Sequence, residues 1–164
     1  SAPRHLKFSK NGKYLYIVHE LKNSIDVYSY REERNNPFFE KIQTIGTTSG
    51  RGEESMNAAC AIRLSKDGKH VLVSNAGENT VTMFDRDTET GLLTYRSSMP
   101  ISGDYPKDIS FFPDGKHLAV ANHQTNEITF FKIDYENALL IMSDRSVAVN
   151  QPNCIRFVKL PNQE

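Results

Sequence analysis

The sequence has no tryptophan, only two cysteines, and no net charge: 20 Lys and Arg stand against 20 Asp and Glu. A balanced chain lacks the domain-wide basic footprint that nucleic acid would demand and the acidic excess of a solvating tail. Cys60 and Cys154 lie far apart and form no CxxC pair, so no disulfide framework is written here. A reducing, cytoplasmic compartment is the expectation. No apolar run approaches the roughly 18 residues of a membrane span, and no membrane partner is expected. There is no P-loop, no dinucleotide fingerprint and no zinc spacing, so neither a cofactor nor a metal is expected. No secretory signal opens the chain either. Ser1-Ala2-Pro3 runs straight into a strand pattern, as if the sequence began in mid-protein, and a signal upstream stays open.

What remains is a chain of 164 residues, 38% hydrophobic, enough for a core, with a mean hydropathy of −0.54 that sends much of it to water. It repeats itself. "SKNGKYLYIVHELKNSIDVYS" (9–29), "SKDGKHVLVSNAGENTVTMFD" (65–85) and "FPDGKHLAVANHQTNEITFFK" (112–132) share one grammar. Aligned on Gly12, Gly68 and Gly115, the units step by 56 and 47 residues. Each has a short strand, a glycine turn, an apolar strand, a polar turn ("LKNS", "GENT", "QTNE"), a third strand and a looser fourth segment. Asn-Gly and Asp-Gly supply the positive φ of tight hairpins. The flanking runs are rich in Val, Ile, Tyr and Phe, which suit a pleated surface. The second strand of each unit alternates poorly, as a strand covered on both faces does.

Four strands at this period predict β-propeller blades, small sheets that stack around a central channel. The expected fold is all-β: three four-stranded blades over about 2–48, 56–103 and 104–150, then a closing strand, 151–160. Three blades do not close a ring, since propellers hold about four to eight. The chain therefore reads as part of a larger wheel. Its two end faces should stay apolar and promote self-association, or docking of further blades.

The same residues carry a family resemblance. "PRHLKFSKNGKYLYIVHEL", "AACAIRLSKDGKHVLVSNAGENTVTMF", "DYPKDISFFPDGKHLAVANHQTNEITFFKID" and "QPNCIRF" resemble, in order, the C-terminal half of the lactonase family of seven-bladed propellers. Its members include 6-phosphogluconolactonase and 3-carboxy-cis,cis-muconate lactonising enzyme. The resemblance implies that Arg4 and His5 face a central cleft and that Glu20 matches the glutamate ending the second strand. It implies catalytic roles for His5 and Glu20. Arg4, Arg63, Lys107, Asn75 and Asn122 become candidates to bind a small anionic substrate. His titrates near neutrality and moves protons, while Arg grips carboxylate or phosphate through a fork of hydrogen bonds. Each residue also has a plainer reading: His5 tying loops together, Glu20 pairing with Arg4, Arg63 solvated, and the asparagines holding backbone corners.

This chain also departs from the family pattern. Ala61 stands where the family has glutamate, Ala76 where it has arginine, and Lys107 replaces an arginine fork with a point charge. His123 stands at a strand end, His70 and His117 follow the turns, "REERNN" (31–36) reads as a solvated turn, and 50–54 as a loop. Three functions follow. One is hydrolysis of a sugar-acid lactone of the 6-phosphogluconolactone type without a metal. The second is cyclisation of a muconate-type diacid. The third is a non-catalytic binding module, which Ala61 and Ala76 favour.

Overall fold

The computed structural model describes residues 2–50 and 56–158. Among them twelve strands form, with no α-helix: β1 (Pro3–Phe8), β2 (Tyr14–His19), β3 (Ser24–Glu33), β4 (Asn36–Gly46), β5 (Ala58–Leu64), β6 (His70–Ala76), β7 (Thr80–Arg86), β8 (Leu93–Pro100), β9 (Pro106–Phe111), β10 (His117–Asn122), β11 (Glu127–Asp134) and β12 (Leu139–Ala148). They make three separate sheets, β1–β4, β5–β8 and β9–β12, each pairing its strands in chain order. The three blades of the sequence are thus three four-stranded meanders.

The β1–β2, β5–β6 and β9–β10 turns differ from the expected Asn-Gly hairpin. Only Gly12, Gly68 and Gly115 have positive φ, between 71° and 74°. The residue before each glycine serves as an acceptor instead. Asn11, Asp67 and Asp114 take the N–H of Lys13, Lys69 and Lys116 on a side-chain oxygen at 3.2, 3.0 and 2.7 Å. Each glycine N–H reaches back three residues, at 2.9 Å. This is a type I turn closed by a left-handed glycine. "REERNN" is likewise mostly strand. Arg34 and Asn35, with φ of 50° and 65°, form a two-residue turn that carries β3 and β4 out into solvent.

The blades stack through both faces of their second strands. Tyr16 and Val18 of β2 meet Val71 and Val73 of β6, with Ile62 and Phe84. Leu72, from the other face of β6, meets Leu118 and Val120 of β10, with Met83 and Ile109. These side chains are fully buried. Residues three and five past each turn glycine face the preceding blade, and those at four and six face the following one. This two-sided burial explains why the middle strands showed no alternation. At the rim the outer strands are stitched as well. Gln43 donates to the Leu93 carbonyl and accepts its N–H, each at 2.8 Å, and Ser97 donates to the Ala138 carbonyl at 2.9 Å.

A second device repeats in register. Asn23, Asn79 and Asn126 sit eleven residues past each turn glycine, all left-handed, with φ of 49°, 54° and 56°. Asparagine tolerates that conformation better than most residues. Their backbone carbonyls accept the N–H of Thr47, Ile101 and Val149, just past the fourth strand. Their side-chain oxygens accept the N–H of Ala59, Tyr105 and Gln151, where the chain enters the next blade, at 3.0, 2.9 and 2.9 Å. One residue thus ends its own blade and starts the next.

The expected closing strand differs from the structure. Residues 152–158 pair in no ladder, and 159–160 lie outside the described residues, as does the loop stretch 51–54. The segment instead lies on the third blade. Ile155 packs on Ala119 and Ala121, and Phe157 on Phe112 with ring centroids 4.4 Å apart. A strand needs a ladder partner, and no fourth sheet stands among the described residues to provide one.

Replacing Asn79 with alanine leaves the Tyr105 N–H without its acceptor and forces a Cβ residue into left-handed backbone. A loss of about 2–3 kcal/mol is expected in urea unfolding. Asn79→Gly should lose about 1 kcal/mol less, because glycine adopts that φ freely. Equal losses in the two variants would show that the backbone conformation contributes nothing.

Candidate functional site

The inner strands β1, β5 and β9 line up on the pairings Phe8–Leu15, Leu64–Val71 and Phe111–Leu118, and "PNCIRF" (152–157) is set beside them by its match to "PRHLKF" and by the contacts of Ile155 and Arg156 to Asp108. Arg4, Cys60, Lys107 and Asn153 then share one level. His5, Ala61, Asp108 and Cys154 share the next, and Lys7, Arg63, Ser110 and Arg156 stand two residues further along. The candidate chemistry of the chain is concentrated on these levels.

At the outer level Arg4 bridges two blades. Its Nε donates to the Cys60 carbonyl at 3.1 Å, and its Nη1 lies 3.7 Å from a Glu20 carboxylate oxygen. Both side chains are about a quarter to a third exposed, 26% and 30%, so the pair is reachable from solvent. Glu20 is therefore held by Arg4, and among the described residues no carboxylate hydrogen-bonds to His5. The His5 Nδ1 is buried without a partner. Burial lowers the pKa of His5 most and Arg63 next; Asp108 pulls it up, and Arg4 and Arg156 add smaller downward contributions. A charged imidazole is disfavoured in such a positive, partly desolvated place. Lys107 extends its Nζ over the Tyr105 ring, 5.8 Å from the centroid, and His123 lies 6.3 Å from the same ring. Burial raises the pKa of the Tyr105 hydroxyl, with smaller contributions from Cys60 and Glu20, so the hydroxyl stays neutral.

The inner level is organised by a residue the sequence reading passed over. Asp108, 1% exposed, receives Arg63 Nη2 on one oxygen at 2.5 Å and Arg156 Nη1 on the other at 3.2 Å. Backbone N–H groups of Ile109 and Ile155 complete its shell at 3.0 and 2.9 Å. Arg63 is thus neither solvated nor free to grip a substrate alone. It is buried, and its second nitrogen donates to the Ile62 carbonyl at 2.9 Å.

Asn75 and Asn122 are fully buried structural residues, and a ligand cannot reach them. Asn75 Nδ2 donates to the Thr47 carbonyl and Thr82 Oγ1, each at 2.9 Å. Asn122 Nδ2 donates to the Ser102 carbonyl at 3.1 Å and Thr129 Oγ1 at 2.9 Å. In the first blade the equivalent pair is His19 with Asp26, 3.1 Å apart. This polar couple joins strands two and three in every blade, one layer behind the inner strands. Ala61 lies fully buried in the core between the second and third blades. His70 stacks on Tyr135 of the next blade at 4.7 Å, and His117 pairs with Asp114 of its own turn at 2.6 Å.

Asp108, Arg156, Lys7 and Tyr105 were not singled out from sequence. The signal existed, since "PRHLKF", "PKDISF" and "PNCIRF" share one inner-strand pattern. Lining them up would have placed Arg156 and Lys7 beside Arg63, and Asp108 beside His5.

Stacked four-stranded blades whose inner strands carry cations, a carboxylate and an imidazole define a propeller with a polar inner layer. The comparisons give this class a family. The model for "Lactonase, 7-bladed beta-propeller" matches residues 1–157, and the chain belongs to that family. The periplasmic gluconolactonase PpgL of Pseudomonas aeruginosa superposes with a TM-score of 0.86 at 29% identity, over 97% of this chain and 43% of that one. A solved protein from Lactobacillus plantarum gives 0.85 at 31% identity, over 96% and 45%. The 6-phosphogluconolactonase of Bacillus subtilis is 27% identical over 158 residues, 96% of this chain and 44% of that protein. The chain thus spans less than half the length of these relatives.

Arg63→Met should destabilise the chain by about 3 kcal/mol, because it strips a buried carboxylate of its closest cation. The double variant Arg63→Met with Asp108→Leu should recover much of that loss, since no buried charge is then left with an incomplete shell. Chemical unfolding of the wild type, of Arg63→Met and Asp108→Leu singly, and of the double variant measures both effects. A double variant as unstable as the sum of its parts would refute the pairing as the cause.

Proposed function

We propose that the Arg4–His5–Glu20–Lys107 mouth belongs to a lactone hydrolase acting on a small anionic sugar-acid lactone of the 6-phosphogluconolactone type. The observation that carries the reading is His5, an imidazole with a buried, unpartnered nitrogen and a lowered pKa, placed beside a solvent-reachable Arg–Glu pair. The Pseudomonas gluconolactonase and the Bacillus 6-phosphogluconolactonase agree with this reaction class. In this reading His5, not a metal ion, activates the water. Neutral at pH 7, it takes a proton from water as the oxygen attacks the lactone carbonyl. Arg4 and Lys107 face the negative charge that develops on that carbonyl oxygen. The ring C–O bond then breaks, and the imidazolium returns its proton to the departing ring oxygen. The products are a hydroxy acid, ionised at neutral pH, and free imidazole. Glu20 fixes Arg4 in place and is a positioning residue.

One observation favours a different reading. Asp108 already neutralises Arg63, and Asn75 and Asn122 are sealed inside the blades. Fewer groups are free for transition-state contacts than the resemblance implied, as in a binding module without turnover. A muconate-type cyclisation has no separate support in the geometry. The cleft also needs walls from every blade of a ring, so these three blades alone are expected to turn over little or nothing. Their outer faces expose Leu6, Phe8 and Phe39 on one side. On the other, a hollow of about 390 Å³ is lined by Phe112, Phe130, Ile141 and Met142. Blades of the same stacking pattern would cover both. Sedimentation of the isolated chain should show association, weakened by Phe8→Lys, and a concentration-independent monomer would refute this.

The catalytic reading is tested in the full-length protein that carries this sequence. His5→Gln should lower kcat for a 6-phosphosugar lactone by about 10²–10⁴. The base works in its neutral form and its pKa is lowered. The acid limb of kcat/KM should therefore fall below the ordinary histidine value of 6.5, with activity lost as pH drops through it. Unchanged turnover in His5→Gln sinks the assignment. A wild type that binds the sugar acid without hydrolysing any lactone supports the binding module.

A further inference from the structure

At the β1–β2 and β5–β6 turns the first two blades enclose a hollow of about 320 Å³, lined by Lys10, Asn11, Asp67, Gly68, Arg86 and Thr88. A neighbouring hollow of about 370 Å³ shares Arg86 and Thr88 with it. The first lies past the Phe8 end of β1, whereas Arg4 and Glu20 stand at the Pro3 end, so it occupies the opposite rim of the blades from the mouth. Arg86 is only 7% exposed. Its Nε donates to the Tyr16 hydroxyl and its Nη1 to the Gly68 carbonyl, the latter at 2.9 Å. Its guanidinium carbon lies 5.5 and 5.7 Å from the Tyr14 and Tyr16 ring centroids. Its Nη2 is buried with no hydrogen-bond partner, and among the described residues no carboxylate forms an ion pair with it. The acids beside it in sequence are turned elsewhere: Asp85 pairs with Arg96 at 3.0 Å, and Asp87 accepts the N–H groups of Glu89 and Thr90 at 2.8 and 3.1 Å. A buried cation without a counter-charge is costly. The blade design does not require that cost. The equivalent position, eighteen residues past the turn glycine, holds Tyr30 in the first blade and Ile133 in the third. The bond to the turn glycine needs no charge either, since in the third blade the Tyr135 hydroxyl makes it, to the Gly115 carbonyl at 2.8 Å.

We propose that Arg86 and Lys10 form a carboxylate-binding site in this hollow, for a monoanionic ligand about the size of one amino-acid residue. Arg86 contributes Nη2, the donor that the fold leaves over, and a charge-assisted N–H to a carboxylate is among the stronger hydrogen bonds a protein makes. Nη2 is covered, so the ligand reaches it as the exposed Lys10 and Thr88 side chains give way at the rim. Lys10 brings a second charge on a flexible stem, with Asn11 and Thr88 as neutral polar neighbours. Asp67 selects against a dianion. Burial raises its pKa, but the Ser65 hydroxyl and the Lys69 N–H lower it more, so it stays ionised on the wall of the hollow. Two cations against one acid leave a surplus of one, which a single carboxylate cancels. Such a site stands apart from the hydrolytic reading, since it lies on the other rim and concerns binding alone.

Titration calorimetry of the full-length protein that carries this sequence tests it near neutral pH. The two probes are N-acetylalanine and an acetylated alanine tripeptide with a free C-terminus, and the same tripeptide as its C-terminal amide is the control. Saturable binding of a carboxylate is expected, with the amide about tenfold weaker or more. Arg86→Met and Lys10→Met should each weaken binding about tenfold or more, and Arg86→Lys less than Arg86→Met. Arg4→Met should leave the affinity within about twofold, which separates this site from the mouth. Circular dichroism confirms that each variant is folded, and Lys10 is exposed, so its replacement leaves the core untouched. Tighter binding of the tripeptide assigns the ligand to a polypeptide end, and equal or tighter binding of N-acetylalanine assigns it to a free acid. Absence of saturable binding in both carboxylate arms overturns the proposal. So does equal binding of the amide, or binding that survives Arg86→Met and Lys10→Met and is lost in Arg4→Met.

Discussion

Every blade of this chain is apolar on both faces of its second strand, and that constraint governs the rest. A four-stranded sheet with two greasy sides cannot rest against water. It must be sandwiched, and the copies in this chain are sandwiched by one another. The middle blade shows the outcome at its fullest. Val71 and Val73 turn one way, Leu72 the other, and all three are fully buried. With the sheets face to face, their first strands converge, and polar side chains that would be scattered on an open sheet come to share one narrow axis.

The left-handed asparagines turn this tendency into a defined geometry. Hydrophobic stacking is non-directional and would tolerate sliding of one sheet over another. Asn23, Asn79 and Asn126 each hold two backbone segments at once, which fixes where the next inner strand begins. The level-by-level match of Lys7, Arg63 and Arg156 follows from that registration. Asp108 reaches Arg63 across a blade boundary only because the boundary has one setting.

The architecture was legible in the sequence because its punctuation is local. A glycine turn, an asparagine turn and the β-rich runs between them are each readable within a few residues, and their recurrence defines the blade. The turn chemistry was read less well, since Asn11, Asp67 and Asp114 act through their side chains and not through positive φ. The site was legible only in part. Arg4 and His5 stood out by type, but the pairing of Glu20 with Arg4 rather than with His5 is a property of the fold. Asn75 and Asn122 misled because a strand end looks like a cleft edge in one dimension, whereas the fold places them one layer behind it. Asp108 gave no local sign at all. Its importance comes from two arginines 45 and 48 residues away, a relation that only the closing of blades creates.

The asparagine clasp has an evolutionary corollary. The contact common to all three is with a main-chain N–H where the next unit begins, to which Asn23 and Asn79 add side-chain bonds with Asn57 and Asp104. A module could therefore be duplicated, deleted or exchanged at these junctions without rewriting the modules beside it, provided its two greasy sides were kept. Wheels with different numbers of spokes, and inner strands free to drift toward new ligands, are the natural products of such a joint.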